Sequence, residues 1–170
     1  MTTDNVINLV KVISGGQTGV DQAALRAARA CGLASGGWCS PDRLCESGTI
    51  PAEFDLKETP NERSADALDI ARSQRTEWNV RDSDATLILQ RSKRGDPGTG
   101  WTIRCAKRDG KPFLECDPAE EGATRQIIEW LRPIQVRTLN VAGPSESTVP
   151  GIGEQSYARL IDLFASLDRT

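Results

Sequence analysis

The sequence predicts an α/β fold: a mainly parallel sheet of about five strands with helices on both faces. Two observations carry that reading. Short apolar runs alternate with stretches of helical period along the 170 residues. Glycine-rich segments fall where a strand ends and a helix begins. Such alternation builds parallel sheets, because each return between parallel strands needs a crossover helix on one face. No internal repeat or low-complexity tract interrupts the order, so residues 1–170 read as one domain, within the usual size range. A chain this long buries about 70% of its unfolded surface and needs no disulfide or metal staple.

Each element has its own signal. Val6–Ile13 is rich in Val and Ile and stops at Ser14-Gly15-Gly16, as a buried strand does. Val20–Cys31 is helical, with Val20, Ala24, Ala27, Ala28 and Cys31 on one face and Gly32 as C-cap. A short strand follows at Ala34–Trp38, then a loop punctuated by Gly and Pro to about Asn61. A helix over Ser64–Val80 carries Leu68, Ile70, Ala71 and Trp78. The rest alternates as strand Ala85–Gln90, helix Thr99–Arg108, strand Pro112–Cys116, helix Pro118–Leu131, strand Val136–Ala142 and helix Gly153–Leu167. Right-handed crossovers bring the loops Ser14–Asp21, Gly36–Gly48, Arg91–Thr102 and Gly143–Gly151 to the carboxyl edge, where such folds bind ligands.

Composition narrows the chemistry. There is no histidine, which removes Ser-His-Asp and Cys-His pairs, zincin motifs and histidine-held haem or zinc. The five cysteines include no C-x-x-C, so neither a disulfide framework nor a zinc knuckle is indicated. A net charge of −3 argues against nucleic acid as a partner. The cations are skewed to 16 Arg against 5 Lys; guanidinium forks oxyanions well, although base composition of the gene gives the same skew. The N-terminus lacks a signal-peptide pattern and no apolar run would span a bilayer, so a cytoplasmic protein away from membranes is expected.

The four loops hold the candidate binding residues. In SGGQTGVD, Gly15, Gly16, Gln17, Thr18 and Gly19 precede a helix start, an arrangement suited to anions, and Asp21 reads as a ligand contact or a cap. The spacing is neither a Walker A loop nor G-x-G-x-x-G. In GGWCSPDR, Trp38 offers a stacking surface or a core ring, Cys39 a thiol or a buried filler, and Arg43 a cation. Gly98, Thr99, Gly100, Trp101 and Thr102 make a second seat at a helix start, and Gly143, Ser145, Glu146 and Ser147 add hydroxyls at the same rim. The cluster Arg75-Thr76-Glu77-Trp78-Asn79 and Arg81-Asp82-Ser83-Asp84 reads as structural, with Asp82 and Asp84 at the strand's amino end.

Taken in order, SGGQTGVDQAALRAA, GGWCSPDR, RTEWNVRDSDATLIL, PGTGWT and LNVAGPSES resemble the molybdenum carrier family over about Lys11–Ile152. That family is related to molybdenum cofactor carrier proteins and, more remotely, to the LOG/lysine-decarboxylase-like Rossmann group. The resemblance implies a three-layer Rossmann-like fold and a homo-oligomer, dimer or tetramer. Its implied ligand is molybdenum cofactor (molybdopterin, a phosphorylated pterin), or molybdate or another oxyanion, with molybdenum enzymes as recipients. The LOG enzymes place a catalytic glutamate three residues after a Gly-Thr pair; aligned on Gly98-Thr99, that position is Thr102. No catalytic residue is therefore assigned and a carrier is expected. The alternatives are a LOG-type hydrolase of nucleoside monophosphates, with Asp21 or Glu146 as acid/base, and a nucleotide-sensing module.

Overall fold

Val12, Leu87, Leu89, Leu139 and Val141 alternate along their strands with Ile13, Ile88 and Asn140, and all are buried, so both faces of one sheet are covered. The computed structural model describes residues 6–91 and 96–167. The chain runs β1 (Lys11–Ile13), α1 (Val20–Ala30), β2 (Ala34–Gly36), β3 (Trp38–Cys39), a 3-10 turn (Pro41–Arg43), β4 (Leu44–Cys45), β5 (Gly48–Thr49) and β6 (Lys57–Glu58). It continues through α2 (Ser73–Arg81), β7 (Ala85–Leu89), α3 (Pro97–Arg108), β8 (Phe113–Cys116), α4 (Ala123–Leu131), β9 (Thr138–Ala142) and α5 (Ile152–Ser166).

Five strands form a parallel sheet in the order β2-β1-β9-β7-β8. The last strand, β9, is inserted between β1 and β7, with Asn140 opposite both Ile13 and Thr86. Connections leaving β1 and β7 therefore diverge, and a crevice opens above β9, the switch point of such a sheet. Helices α1, α4 and α5 cover one face over the main core. Ala24, Ala27 and Ala28 are fully buried, and their small side chains let α1 lie close against α5 and the sheet. On the other face α2 packs on α3, with Val80, Trp101, Cys105 and Ala106 between them.

The architecture agrees with the expected fold class; several boundaries do not. The first ladder starts at Lys11 rather than Val6, and Val6 and Val10 are exposed. The second strand divides at Gly37 (φ 124°), where a Cβ would meet the Ser14 carbonyl at 2.4 Å. Beyond it, Trp38–Cys39 leaves the main sheet and pairs with β6. The helix expected over 64–80 begins only at Ser73, because Arg72 is left-handed (φ 58°) and gives its N–H to Glu62. Residues 64–72 are turns held by Ser73 Oγ, which accepts from Ser64 N and donates to Ala67 O. The helix expected from Pro118 starts at Ala123, after a turn in which Asp117 accepts from Ala119 N.

The structural reading of the acidic pair before β7 fits its contacts. Asp84 accepts the N–H groups of Arg137 and Thr138 at 2.9 and 2.8 Å, tying β7 to the start of β9. Asp82 accepts from Trp38 Nε1 at 2.7 Å and pairs with Arg81.

Candidate functional site

The crevice above β9 holds about 380 Å³. Its floor is Asn140 to Gly143; its walls are the first loop and Asp21, the turn 69–72 with the start of α2, the start of α3, and Ser145 and Thr148. The first, third and fourth expected loops thus meet here, whereas the second runs to the far side. From it Glu46 reaches back by its side chain, to Thr18 and Ser147, and Gly36 O accepts from Ser14 N. Ser92–Gly95, within the third loop, lie outside the described residues.

Two glycines set the closeness of these walls. Gly19 has φ 79° and ψ −125°, a region only glycine occupies readily. A Cβ there would lie 2.6–2.8 Å from the backbone of 144–146, so the first and last loops touch main chain to main chain. At Gly15 a Cβ would fall 1.6 Å from Arg75 Nη1, so the guanidinium occupies the space a side chain would need.

That guanidinium is the centre of the site. Arg75 donates to Asp21 at 2.9 Å, and both side chains are largely buried. Burial pushes the Asp21 carboxyl above its ordinary value, and Arg75 opposes that rise. Asp21 also accepts from Gln17 N at 3.2 Å. Gln17 Oε1 accepts from Thr18 N and Glu46 N at 3.0 and 2.9 Å, while its Nε2 is buried with no partner. Asn79 and Asn140 line the same inner end, with Asn79 pairing both polar groups of its amide with the Trp38 backbone. Asn140 donates to Thr86 Oγ1.

The helix starts expected to seat anions carry carboxylates of their own. Asp96 accepts from Thr99 N at 2.7 Å as the N-cap of α3, with Pro97 next to it. Glu146 accepts from Gly151 N and Gly153 N at the start of α5. Asp21 stands in the first turn of α1. Each of these helix dipoles is already met by an internal anion. Positive charge in the crevice comes instead from Arg75 and from Arg72, whose guanidinium pairs with no carboxylate among the described residues. Sequence reasoning set Arg75 aside as structural and did not consider Arg72. No local signal marked either: Gly15, which Arg75 lies against, is 60 residues away in the chain, and only the fold makes the contact.

The structure brings together Gly15, Gln17, Asp21, Gly98, Thr99, Thr102, Gly143 and Ser145. Thr102 lines the crevice and donates to Gly98 O at 3.0 Å. Thr18, Gly19, Glu146 and Ser147 stand behind it in the contact between the first and last loops, through bonds such as Glu146 N to Thr18 Oγ1. Gly16 (φ 80°) turns the loop over Ile50 and Leu56. Gly100 faces open space.

Four expected site residues lie away from the crevice. Cys39 is fully buried with Leu25, Cys45, Ile50, Phe54 and Leu56 in a small core under the second loop, and burial raises its thiol. Arg43 spends its guanidinium on the carbonyls of Pro51, Phe54 and Leu56. Trp38 stacks edge-on with Trp78 at 4.7 Å, beside a separate cleft of about 210 Å³. Trp101 is buried under α2, donating to Ser73 O. The apolar lining of the crevice is Ile70, Pro97 and Val141 instead of a tryptophan.

Glu46 acts as an exposed latch. Its carboxylate accepts from the Thr18 and Ser147 hydroxyls and from Ser147 N. Desolvation is the largest single influence and raises the carboxyl, but the hydrogen bonds from Ser147 and Thr18 together hold it down at about 2, below its ordinary 4.5. A depressed value contributes stability that is present above about pH 4.5 and lost as pH falls through 2. Glu46→Gln is expected to remove that pH dependence and to speed amide exchange in residues 143–151 at neutral pH, measured by deuterium uptake. Equal uptake in both proteins would contradict the latch.

Fold and site together define a Rossmann-like α/β protein with a polar crevice at the switch point of its sheet. A model of the circularly permutated YpsA SLOG family matches residues 12–164, and the chain belongs to that family. A crystal structure described as "Putative molybdenum carrier protein" from Syntrophus aciditrophicus is 34% identical, spans 94% of this chain and 97% of that one, and superposes with a TM-score of 0.83. (E)-4-Hydroxy-3-methyl-but-2-enyl diphosphate reductase is 14% identical over 91% of this chain and 59% of that one; its TM-score of 0.36 is too low to bear on the fold. No curated protein sequence matches significantly. Among the described residues no helix is long and apolar enough to cross a membrane.

Proposed function

We propose that the chain is a cytoplasmic carrier that holds a small ligand with an anionic group and a heterocycle, molybdenum cofactor or a closely similar phosphorylated pterin, in the crevice above β9. The observation that carries this reading is the lining itself. Guanidinium, amide and hydroxyl donors from Arg72, Arg75, Gln17, Thr99 and Ser145 converge on one cavity of ligand size. The donor set suits a phosphate or oxo group; it offers no soft sulfur to a metal, so molybdenum would ride on its pterin. Support also comes from the similar protein described as a molybdenum carrier. Delivery to molybdenum enzymes and assembly into a homo-oligomer belong to the same reading, as does a single ligand-binding domain over residues 1–170.

Acid–iodine oxidation of gently purified protein should release a fluorescent pterin in near-stoichiometric amount, and stripped protein should take it up again at micromolar concentration. Protein without pterin, and without uptake of pterin or molybdate, would overturn the carrier reading. Release of free base from a panel of nucleotides would install a hydrolase instead, with the buried Asp21 as its acid.

A further inference from the structure

We propose that Gln17 is the specificity-determining residue of the crevice. Its amide is locked with the NH2 group toward the ligand, selecting an uncharged acceptor, the carbonyl of an oxo-heterocycle, over a bare oxyanion. The inference rests on the crevice being the ligand site and adds which end of the ligand enters first.

The lock is set by the main chain. Two backbone donors, Thr18 N and Glu46 N, converge on Oε1 at 3.0 and 2.9 Å. Turning the amide over would set its NH2 against both, donor against donor, so the orientation is fixed. Nε2 is left buried and unpartnered on a residue that lines the crevice. A buried donor without an acceptor is costly, so a ligand that supplies one is favoured by the full value of that deficit.

Charge decides which acceptor fits. Gln17 N is bonded to the Asp21 carboxylate at 3.2 Å, and Arg75 has its charge committed to the same carboxylate at 2.9 Å. Among the described residues that pair leaves no net positive charge at this end. A full anion placed against the buried Nε2 would lose its hydration and gain little from that neutral pair, whereas a carbonyl oxygen accepts the same hydrogen bond at a far smaller desolvation cost. Among the described residues lining the crevice, the uncommitted cation is Arg72, half-buried in the turn at 69–72. The ligand therefore enters carbonyl first, with its anionic group toward Arg72.

The test uses the full chain labelled with 15N and three probes: pterin-6-carboxylate, which carries a ring carbonyl and an anion, inorganic phosphate and molybdate. Pterin-6-carboxylate is expected to shift the Gln17 side-chain NH2 resonances downfield, while both inorganic anions shift arginine side-chain signals and leave Gln17 in place. Gln17→Glu keeps an oxygen for Thr18 and Glu46 but removes the donor. It should weaken pterin-6-carboxylate about tenfold or more at about pH 8 and change molybdate less than about twofold. Arginine signals that move with pterin-6-carboxylate while Gln17 stays still would overturn the role of Gln17 and leave the crevice reading standing. Silence of both groups with every probe would remove the crevice reading and this inference with it. The wild-type resonances decide the matter even if the variant fails to fold.

Discussion

Arg75→Leu is expected to cost about 3–5 kcal/mol of stability at neutral pH, because it leaves the buried Asp21 carboxylate without its partner. The loss should depend on pH in a defined direction. Burial already raises Asp21, and Arg75 opposes the rise; without the guanidinium the carboxyl climbs further. A folded-state value raised above the unfolded one destabilises the fold as pH rises through that interval. The gap between wild type and variant should therefore be widest at pH 7 and above and should narrow toward pH 4, where Asp21 takes up a proton. Adding Asp21→Asn to Arg75→Leu removes the stranded charge and should recover part of the loss. Urea unfolding at several pH values measures all three proteins. A deficit independent of pH would mean that Arg75 acts by packing alone.

Gly19→Ala is the second large effect. Alanine at φ 79° and ψ −125° carries a conformational cost of about 1–3 kcal/mol, and its Cβ would press on the backbone of 144–146 at 2.6–2.8 Å. The two loops must part, which opens the wall of the crevice. About 2–4 kcal/mol of destabilisation is expected, together with loss of ligand uptake under conditions where the variant remains folded. The contrasting control is Gly100→Ala, at a position open to solvent and inside α3, which should be neutral or slightly stabilising. Equal behaviour of the two variants would show that close approach of the loops has no bearing on the site.

The order of elements was legible because it depends on local period: residues 85–90 and 136–142 read as buried strands, within which β7 and β9 lie, and the alanines of α1 announced a close-packed helix. The start of α2 was not legible. SADALDIARS has helical spacing, but Ser73 and Glu62, at its two ends, hold residues 64–72 in turns through hydrogen bonds that spacing does not reveal. The rim of the crevice was visible in the glycines and hydroxyls of three loops. Its charge was not, since Arg75 and Asp21 lie 54 residues apart and meet only across the fold. The tryptophans misled for the opposite reason: indole beside glycine looks like a stacking platform, yet Trp101 fills the space under α2 and Trp38 rests on Trp78.

On the proposed reading the crevice above β9 holds a pterin-like ligand with an anionic tail, through Gln17 and Arg72. Native mass spectrometry of gently purified protein tests it most directly when wild type and Gly19→Ala are compared side by side. The prediction is a bound species of pterin mass on the wild type, absent from the variant. The same species on both proteins, or none on the wild type after incubation with the pterin, would contradict it.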